Sequence, residues 1–248
     1  MKDLRIIHII LLWLLLFMGR ATAFSVNYPK EFGDDWTSAV QFVNEHHAAW
    51  KPLFEEFGVD ACLAEAIVFP ELLRYSRWQN EIETAAVNGL YVLQGTKGAD
   101  FSIGRFQMKP SFAEEVEAAW NQSLLSKEYA FSFNLSDNSE ARRSRIRRLD
   151  TIEGQCRYLA IFIRLQFLRH PQLQRLQLKE QVAYLATIYN HSFSTTWEQT
   201  RHLRHQKLFH TDIITTRHTK KYCYAAIAQT FFHCLTETAE TTDIFCIP

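Results

Sequence analysis

Glycine and proline are scarce in this chain of 248 residues, which contains 8 glycines and 6 prolines. So few helix-breaking residues in a long chain argue against a turn-rich β-sandwich or β-barrel. A net charge is also absent, because 27 basic side chains balance 27 acidic ones. Proteins that hold nucleic acid by bulk charge need an excess of Lys and Arg, so no nucleic-acid partner is expected. A hydrophobic content of 47% excludes a disordered or low-complexity chain.

The cysteines contain no CxxC pair, which argues against a zinc ribbon and against thioredoxin-like redox chemistry. Their number is odd, so at least one thiol stays unpaired even in an oxidising compartment, and the sequence does not fix the pairing. The five cysteines are Cys62, Cys156, Cys223, Cys234 and Cys246. Aromatic residues are abundant, with 19 phenylalanines, 9 tyrosines and 6 tryptophans. The chain can therefore build one sizeable core and offer aromatic faces for stacking.

The first 23 residues have the pattern of a secretory signal peptide. Lys2 and Arg5 precede an apolar stretch at 6–18, and Ala21 and Ala23 give a small-x-small cleavage pattern. The apolar stretch is shorter than the roughly 20 residues that span a bilayer. We therefore expect cleavage, no membrane span in the mature chain, and a periplasmic or otherwise exported location. The alternative is an uncleaved N-terminal anchor.

Large apolar residues recur at helical spacing through most of the mature chain. This pattern predicts helices at 36–57, 110–120, 152–168, 179–189 and 219–235. We therefore expect an all-α protein with one helical domain.

Two regions are less regular. Asp60 is expected to cap a helix that Pro70 bends or restarts, because a proline ring removes one helical hydrogen bond. Residues 87–93 are predicted to form a loop or a short strand, and residues 121–150 a polar excursion from the domain.

Three separated segments form a combined pattern that is more specific than any one of them. Glu71 lies in FPELLRYS, Gly104 and Gln107 in SIGRFQMKPS, and Tyr189 and Asn190 in AYLATIYNHS. In this order and at these separations, the segments resemble the lytic transglycosylase family. That family has a catalytic Glu at a helix end, a Gly-Leu-Met-Gln-like turn and an Ala-Tyr-Asn-Ala-Gly-like helix end.

The resemblance implies a lysozyme-like, two-lobed helical fold with a substrate cleft. It implies cleavage of the β-1,4 bond between N-acetylmuramic acid and N-acetylglucosamine in peptidoglycan, with formation of a 1,6-anhydro product. Glu71 would be the general acid and base, and no cofactor or metal is implied. The expected partners are peptidoglycan strands, with an envelope protein as a further candidate. The implied substrate-binding residues are Gly104, Phe106, Gln107, Tyr189 and Asn190.

The signal-peptide pattern, the resemblance and the polar C-terminus together give the expected domain boundaries. They are a signal peptide at 1–23, a helical segment at 24–57, a lysozyme-like transglycosylase domain at 58–235 and a polar tail at 236–248.

Elementary chemistry agrees with a role for Glu71. Packing of its carboxyl among apolar neighbours such as Phe69 and Leu72 would raise its pKa and keep it protonated, as an acid catalyst requires. Amides such as Gln107 suit sugar hydroxyls and N-acetyl groups, and Tyr189 is expected to hydrogen-bond Glu71 and orient it. Gly104 would let the backbone approach a sugar closely.

Each of these residues also has a purely structural interpretation. Glu71 taken alone would be a surface residue on a helix, and Gly104 would be a tight-turn glycine. Gln107 and Asn190 would be cap or turn residues, and Tyr189 a core tyrosine of an amphipathic helix.

Two other functions remain open. A lysozyme-type hydrolase needs a second carboxylate to activate water, and Asp100, Glu81 and Glu83 are the candidates near the second segment. A catalytically inactive binding or assembly module of the cell envelope is the other. Departures from the family pattern leave that function open, at Leu72, Arg105, His191 and Ser192.

Three weaker features accompany the main pattern. Five arginines at 142–148 form either a solvated face or a patch for an anionic envelope polymer or partner protein. A metal site is not expected, although His202, His205 and His210 lie close together in sequence. Trp78 and Trp197 flank the first and third segments and either pack in the core or stack on a sugar.

Overall fold

The computed structural model describes residues 26–76, 84–212 and 215–240. The predicted signal peptide lies outside these ranges, as do Trp78, Glu81, Glu83 and Cys246.

The described part of the chain is helical, which confirms the all-α prediction. Its α-helices are α1 (Tyr28–Phe32), α2 (Asp34–Glu55), α3 (Ala61–Ser76), α4 (Thr84–Gln94), α5 (Pro110–Gln122), α6 (Leu125–Glu128), α7 (Ser139–Leu149), α8 (Ile152–Arg169), α9 (Leu178–His191), α10 (Trp197–Leu203) and α11 (Tyr224–Glu240). Short 3-10 helices lie at Gly95–Lys97 and Pro171–Arg175. Extended pairing within the described ranges is limited to two isolated antiparallel bridges, Ile103 with Met108 and Phe209 with Tyr222.

Helix α3 lies at the centre of the fold, in contact with α2, α9 and α11. The rings of Trp36 and Phe69 lie 4.7 Å apart, and those of Phe69 and Phe231 stack at 3.7 Å. All three side chains are fully buried. Because a buried side chain of this size contributes about 1.5–3 kcal/mol, the stack fixes α3 between α2 and α11. Glu71 is therefore carried by a helix that is packed against three others.

The start of α3 follows its sequence signals, and of the two outcomes expected at Pro70, a bend or a restart of the helix, the restart does not occur. The Asp60 carboxylate accepts a hydrogen bond from the Leu63 amide at 2.8 Å, so the predicted cap is confirmed. Pro70 lies inside α3, which continues to Ser76, so the helix does not restart there. Packing on three sides holds α3 together despite the missing hydrogen bond.

The prediction for residues 87–93 is wrong, because they belong to helix α4. The mixture of Val, Tyr, Asn and Gly in this stretch favours a loop or strand by local propensity. Tertiary contacts override that preference. The Tyr91 side chain is fully buried, and its hydroxyl donates to the Glu114 carboxylate at 2.7 Å.

In the arginine run at 142–148, Arg142 and Arg145 form neither a solvated face nor a patch for an anionic partner. Residues 139–149 form helix α7, and Arg142 and Arg145 are both buried. The Arg142 guanidinium donates to the backbone carbonyl of Val92 at 2.9 Å, and Arg145 pairs with the buried carboxylate of Glu117 at 2.6 Å. These arginines therefore tie α7 to α4 and α5, and only Arg143 and Arg147 of the run are exposed.

The C-terminal boundary also differs from the prediction. The last helix begins at Tyr224 rather than near residue 219, and it continues to Glu240 into the predicted polar tail. None of the described helices is both long and apolar enough to cross a membrane. Within the described ranges, Cys62, Cys156 and Cys223 form no disulfide.

Candidate active site

Glu71 is a buried acid with one cationic neighbour. Its side chain is 6% exposed, and Arg74, one turn later in α3, donates from Nη1 to Glu71 Oε2 at 3.0 Å. Burial raises the pKa of Glu71, although Arg74 and a hydrogen bond with the Tyr224 hydroxyl act in the opposite direction. The protonated form of this carboxyl is therefore more populated at neutral pH than that of a surface glutamate.

Two tyrosines accompany the carboxyl, Tyr224, which is buried, and Tyr189, which is partly buried. Burial raises the pKa of both Tyr189 and Tyr224 well above the ordinary value, and the nearby Glu71 carboxylate adds to the rise. Tyr189 donates its hydroxyl proton to the Phe106 carbonyl at 2.6 Å. A phenol has one proton to donate, so the expected hydrogen bond from Tyr189 to Glu71 is replaced by this contact. The tyrosine that does contact Glu71 is Tyr224, whose single hydroxyl proton is shared between Glu71 and the Ile67 carbonyl oxygen, 3.1 Å from the hydroxyl oxygen.

The second motif segment, residues 102–111, contains a tight turn that is closed by the antiparallel β-bridge between Ile103 and Met108. The Ile103 amide donates to the Met108 carbonyl at 2.8 Å, and the return bond measures 3.1 Å. Gly104 has φ of 66° and Gln107 has φ of 53°, both in the left-handed region. The Gln107 side chain donates back to the Gly104 carbonyl at 2.8 Å, which fixes its orientation.

Gly104 and Phe106 support the turn, and neither is among the residues that line the cleft. A Cβ atom on Gly104 would lie 1.6 Å from Nε2 of Gln155, so the glycine is required by close packing on α8. The Phe106 side chain is fully buried, with its ring 5.3 Å from that of Trp50. Phe106 lies in the core because its apolar ring is stabilised by burial there, and its backbone carbonyl anchors Tyr189. Contact of either residue with substrate stays a prediction.

The three segments meet at one cleft of about 270 Å³. Glu71 and Arg74 from α3, Gln107 from the turn, and Tyr189 and Asn190 from the end of α9 all line it. Four of the six predicted site residues are thus brought together, and the other two support the turn behind them. Further lining side chains are Asp100, Ser102, Met108, Lys109, Ser111, Phe112, Glu115, His191, Ser192 and Phe193.

Two further carboxylates border the cleft. Asp100 accepts hydrogen bonds from the amide of Ser111 at 3.0 Å and from its hydroxyl at 2.8 Å, so it caps the start of α5. Burial raises the pKa of Glu115, against the effect of Arg169, and Asp100 raises it further. Sequence reasoning identified Asp100 but missed Glu115.

Arg74 and Tyr224 were also missed. Arg74 stands three residues after Glu71, which is the spacing of a helical ion pair, so the signal was present in the sequence. Tyr224 lies far along the chain on α11, and no local pattern connects it with Glu71.

The weaker sequence features that the structure describes do not line the cleft. Trp197 stacks on Tyr184 with ring centroids 4.2 Å apart, and it packs against the core. Among the residues that the structure describes, no group of three or more His, Cys, Asp or Glu side chains is placed to hold a metal ion. A larger cavity of about 640 Å³ between α7, α8 and the loop at 131–133 contains none of the three segments.

Comparison of the chain with protein-family models, with curated proteins and with solved structures gives no match in any of the three. The functional argument therefore depends on the cleft and its chemistry.

Proposed function

We propose that this chain is a peptidoglycan lytic transglycosylase with a lysozyme-like, two-lobed helical domain, acting in the periplasm or elsewhere outside the cytoplasm. It cleaves the β-1,4 bond between N-acetylmuramic acid and N-acetylglucosamine. The observation that carries the proposal is the meeting of three distant motif segments around Glu71 at one cleft. Glu71 is buried at that cleft and its pKa is raised.

The reaction uses a single carboxyl group twice. The protonated Glu71 donates its proton to the glycosidic oxygen as the bond from that oxygen to the anomeric carbon breaks. The carboxylate so formed takes the proton of the muramic acid 6-hydroxyl, whose oxygen bonds to the anomeric carbon and closes the 1,6-anhydro ring. Glu71 is protonated again at the end, and no water is consumed.

The surroundings of Glu71 suit both halves of this cycle. Burial favours the neutral acid that begins the reaction. The Arg74 guanidinium at 3.0 Å then stabilises the carboxylate that exists between the two proton transfers. The amide of Gln107, held by the Gly104 carbonyl, and the exposed amide of Asn190 are available for sugar hydroxyls and N-acetyl groups.

A lysozyme-type hydrolase is the second candidate, and the two extra carboxylates favour it. Asp100 and Glu115 line the same cleft as Glu71, so either is a candidate base for a water molecule. Asp100 is occupied by Ser111, which leaves Glu115 as the more available base. An inactive peptidoglycan-binding or envelope assembly module is the third candidate.

The test incubates purified peptidoglycan with the wild-type protein, with Glu71→Gln and with Glu115→Gln, and analyses the soluble products by mass spectrometry. Loss of a general acid costs about 10²–10⁴-fold in rate, so Glu71→Gln should be nearly inactive. Glu115→Gln is the matched control, since it makes the same substitution in the same cleft, and it should retain most of the activity.

The product masses separate the three candidates. Products lighter by one water than reducing muropeptides, formed by the wild type and by Glu115→Gln, support the transglycosylase. Reducing products that require Glu115 identify a hydrolase. If the folded wild-type protein releases no product, the enzymatic proposal fails and the binding module replaces it.

A further inference from the structure

Besides the arginine run at 142–148, positive charge is concentrated in one further stretch of this neutral chain. Residues 201–212 and 215–221, which we call the basic segment, contain six Lys or Arg residues and one acidic residue, Asp212. The segment extends from the last turn of α10 to just before the start of α11. The basic residues are Arg201, Arg204, Lys207, Arg217, Lys220 and Lys221.

Half of these charges are paired and half are exposed without an acidic partner. Arg201 pairs with Glu198, Arg204 with Glu180, and Lys220 with Glu31. By contrast, no ion pair within the described ranges involves the remaining three, and all of them are exposed. They are Lys207, Arg217 and Lys221. These cations remain available for an external anion.

The basic segment borders the cleft. Arg74 donates from Nε to the His210 carbonyl at 3.1 Å, and its guanidinium lies 4.5 Å from the centre of the Phe209 ring. The same arginine holds Glu71, so the segment is fixed directly beside the proposed acid. A small depression next to the cleft is lined by Asn190 together with Leu203, Arg204, Gln206, Leu208 and Phe209. The cleft and this depression share Asn190, so a strand that extends from the cleft past Asn190 would reach residues of the basic segment.

We propose that the basic segment binds the carboxylate groups of the peptide side chains carried by the glycan strand in the cleft. The inference depends on the proposed function, because it identifies the charged part of that same substrate. The sugar backbone of peptidoglycan is neutral, and its carboxylates lie on the attached peptides. Screening limits such attraction to about 10 Å at 0.1 M salt, and the contacts of residues 209 and 210 with Arg74 bring the segment to the cleft itself.

The test measures binding rather than turnover, in the Glu71→Gln background so that bound strands stay intact. The charge-reversed protein carries Lys207→Glu and Lys221→Glu in addition. Its control carries Arg143→Glu and Arg147→Glu, which change the charge equally on the exposed side of α7. Each protein is sedimented with intact peptidoglycan, with peptidoglycan whose carboxylates are amidated, and with phosphatidylglycerol vesicles.

Binding to intact peptidoglycan should weaken about tenfold in the charge-reversed protein at low salt and hardly change in the control. Amidation should weaken binding of the Glu71→Gln parent by a similar factor and remove the difference between the variants. Equal binding by all variants overturns the inference, and so does a loss confined to the anionic vesicles. Because the parent cannot cleave, the result is independent of turnover. If the wild type cleaves peptidoglycan but charge reversal does not change binding, only the proposed role of the basic segment is refuted. If binding depends on charge but the wild type does not cleave, only the proposed enzymatic activity is refuted.

Discussion

Glu71 and Glu117 are both buried glutamates, and their partners differ. Glu117 is fully buried between α5, α7 and α8, with Arg145 and Arg148 each 2.6 Å from one of its oxygens. The Tyr158 hydroxyl also donates a hydrogen bond to the Glu117 carboxylate. This carboxylate has a full complement of charged and hydrogen-bonding partners and has no access to a cleft lined by the three motif segments.

Glu71, by contrast, has a single cation and a tyrosine, and it borders a cleft. The comparison shows which buried acid is available for chemistry. A carboxylate bound by two arginines joins helices. A carboxyl with too few partners keeps a raised pKa and has a proton to give.

The largest expected effect is a difference in the free energy of unfolding between variants of the two acids. Glu117→Gln leaves Arg145 and Arg148 without their main anionic partner, so we expect the free energy of unfolding to fall by about 3–5 kcal/mol. Glu71→Gln replaces a costly buried acid by a neutral amide, so its unfolding free energy should change by less than about 1 kcal/mol. Urea unfolding at pH 7 measures both. Similar losses in the two variants would contradict the comparison.

A third buried acid, Glu65, extends the comparison to pH. Its side chain is fully buried on α3, His47 Nδ1 lies 2.8 Å from its Oε1, and burial raises its pKa from 4.5 to about 7. The folded state therefore favours the protonated form more strongly than the unfolded chain does. The resulting stability is present in full below about pH 4.5 and is lost as the pH rises to about 7.

We expect this acid to contribute about 3 kcal/mol to the fall in unfolding free energy between pH 4.5 and 7.5. Glu65→Gln carries an amide that does not titrate. Between pH 4.5 and 7.5 its unfolding free energy should therefore fall by about 3 kcal/mol less than that of the wild type. Chemical denaturation of both proteins at several pH values provides the measurement. Parallel curves for the two proteins would show that Glu65 does not titrate in this window.

The smallest expected effect concerns the one cation beside Glu71. Arg74→Met removes the positive charge at 3.0 Å and should raise the pKa of Glu71 further, whereas Arg74→Lys should leave that pKa close to the wild-type one. An NMR titration of glutamate side chains labelled with carbon-13 reports the shift, and Glu71→Gln assigns the signal. An unchanged or lowered pKa in Arg74→Met would mean that Arg74 does not stabilise the carboxylate.

The sequence predicted the helices whose apolar spacing is regular, such as α2, α8 and α9. It failed for α4, where Asn88 and Gly89 weaken the helical signal and distant partners such as Glu114 restore the helix through Tyr91. It also misjudged Arg142 and Arg145, because their partners lie on α4 and α5. Local composition cannot reveal such pairs.

The candidate site was likewise predictable from the sequence only in part. Glu71, Gln107 and the Tyr189 and Asn190 pair were found by motif order, and the structure brings them to one cleft. The role of Phe106 was not predictable, since the sequence does not show which face of a tight turn meets the core.

The most direct test of the central claim runs the peptidoglycan reaction in water labelled with oxygen-18. If Glu71 acts first as acid and then as base on the 6-hydroxyl, the products carry no label and are anhydro sugars, and Glu71→Gln forms none of them. Labelled reducing ends would contradict the account, because they require attack by water. Unlabelled anhydro products formed equally by Glu71→Gln would contradict it as well, because the proton would then come from another group.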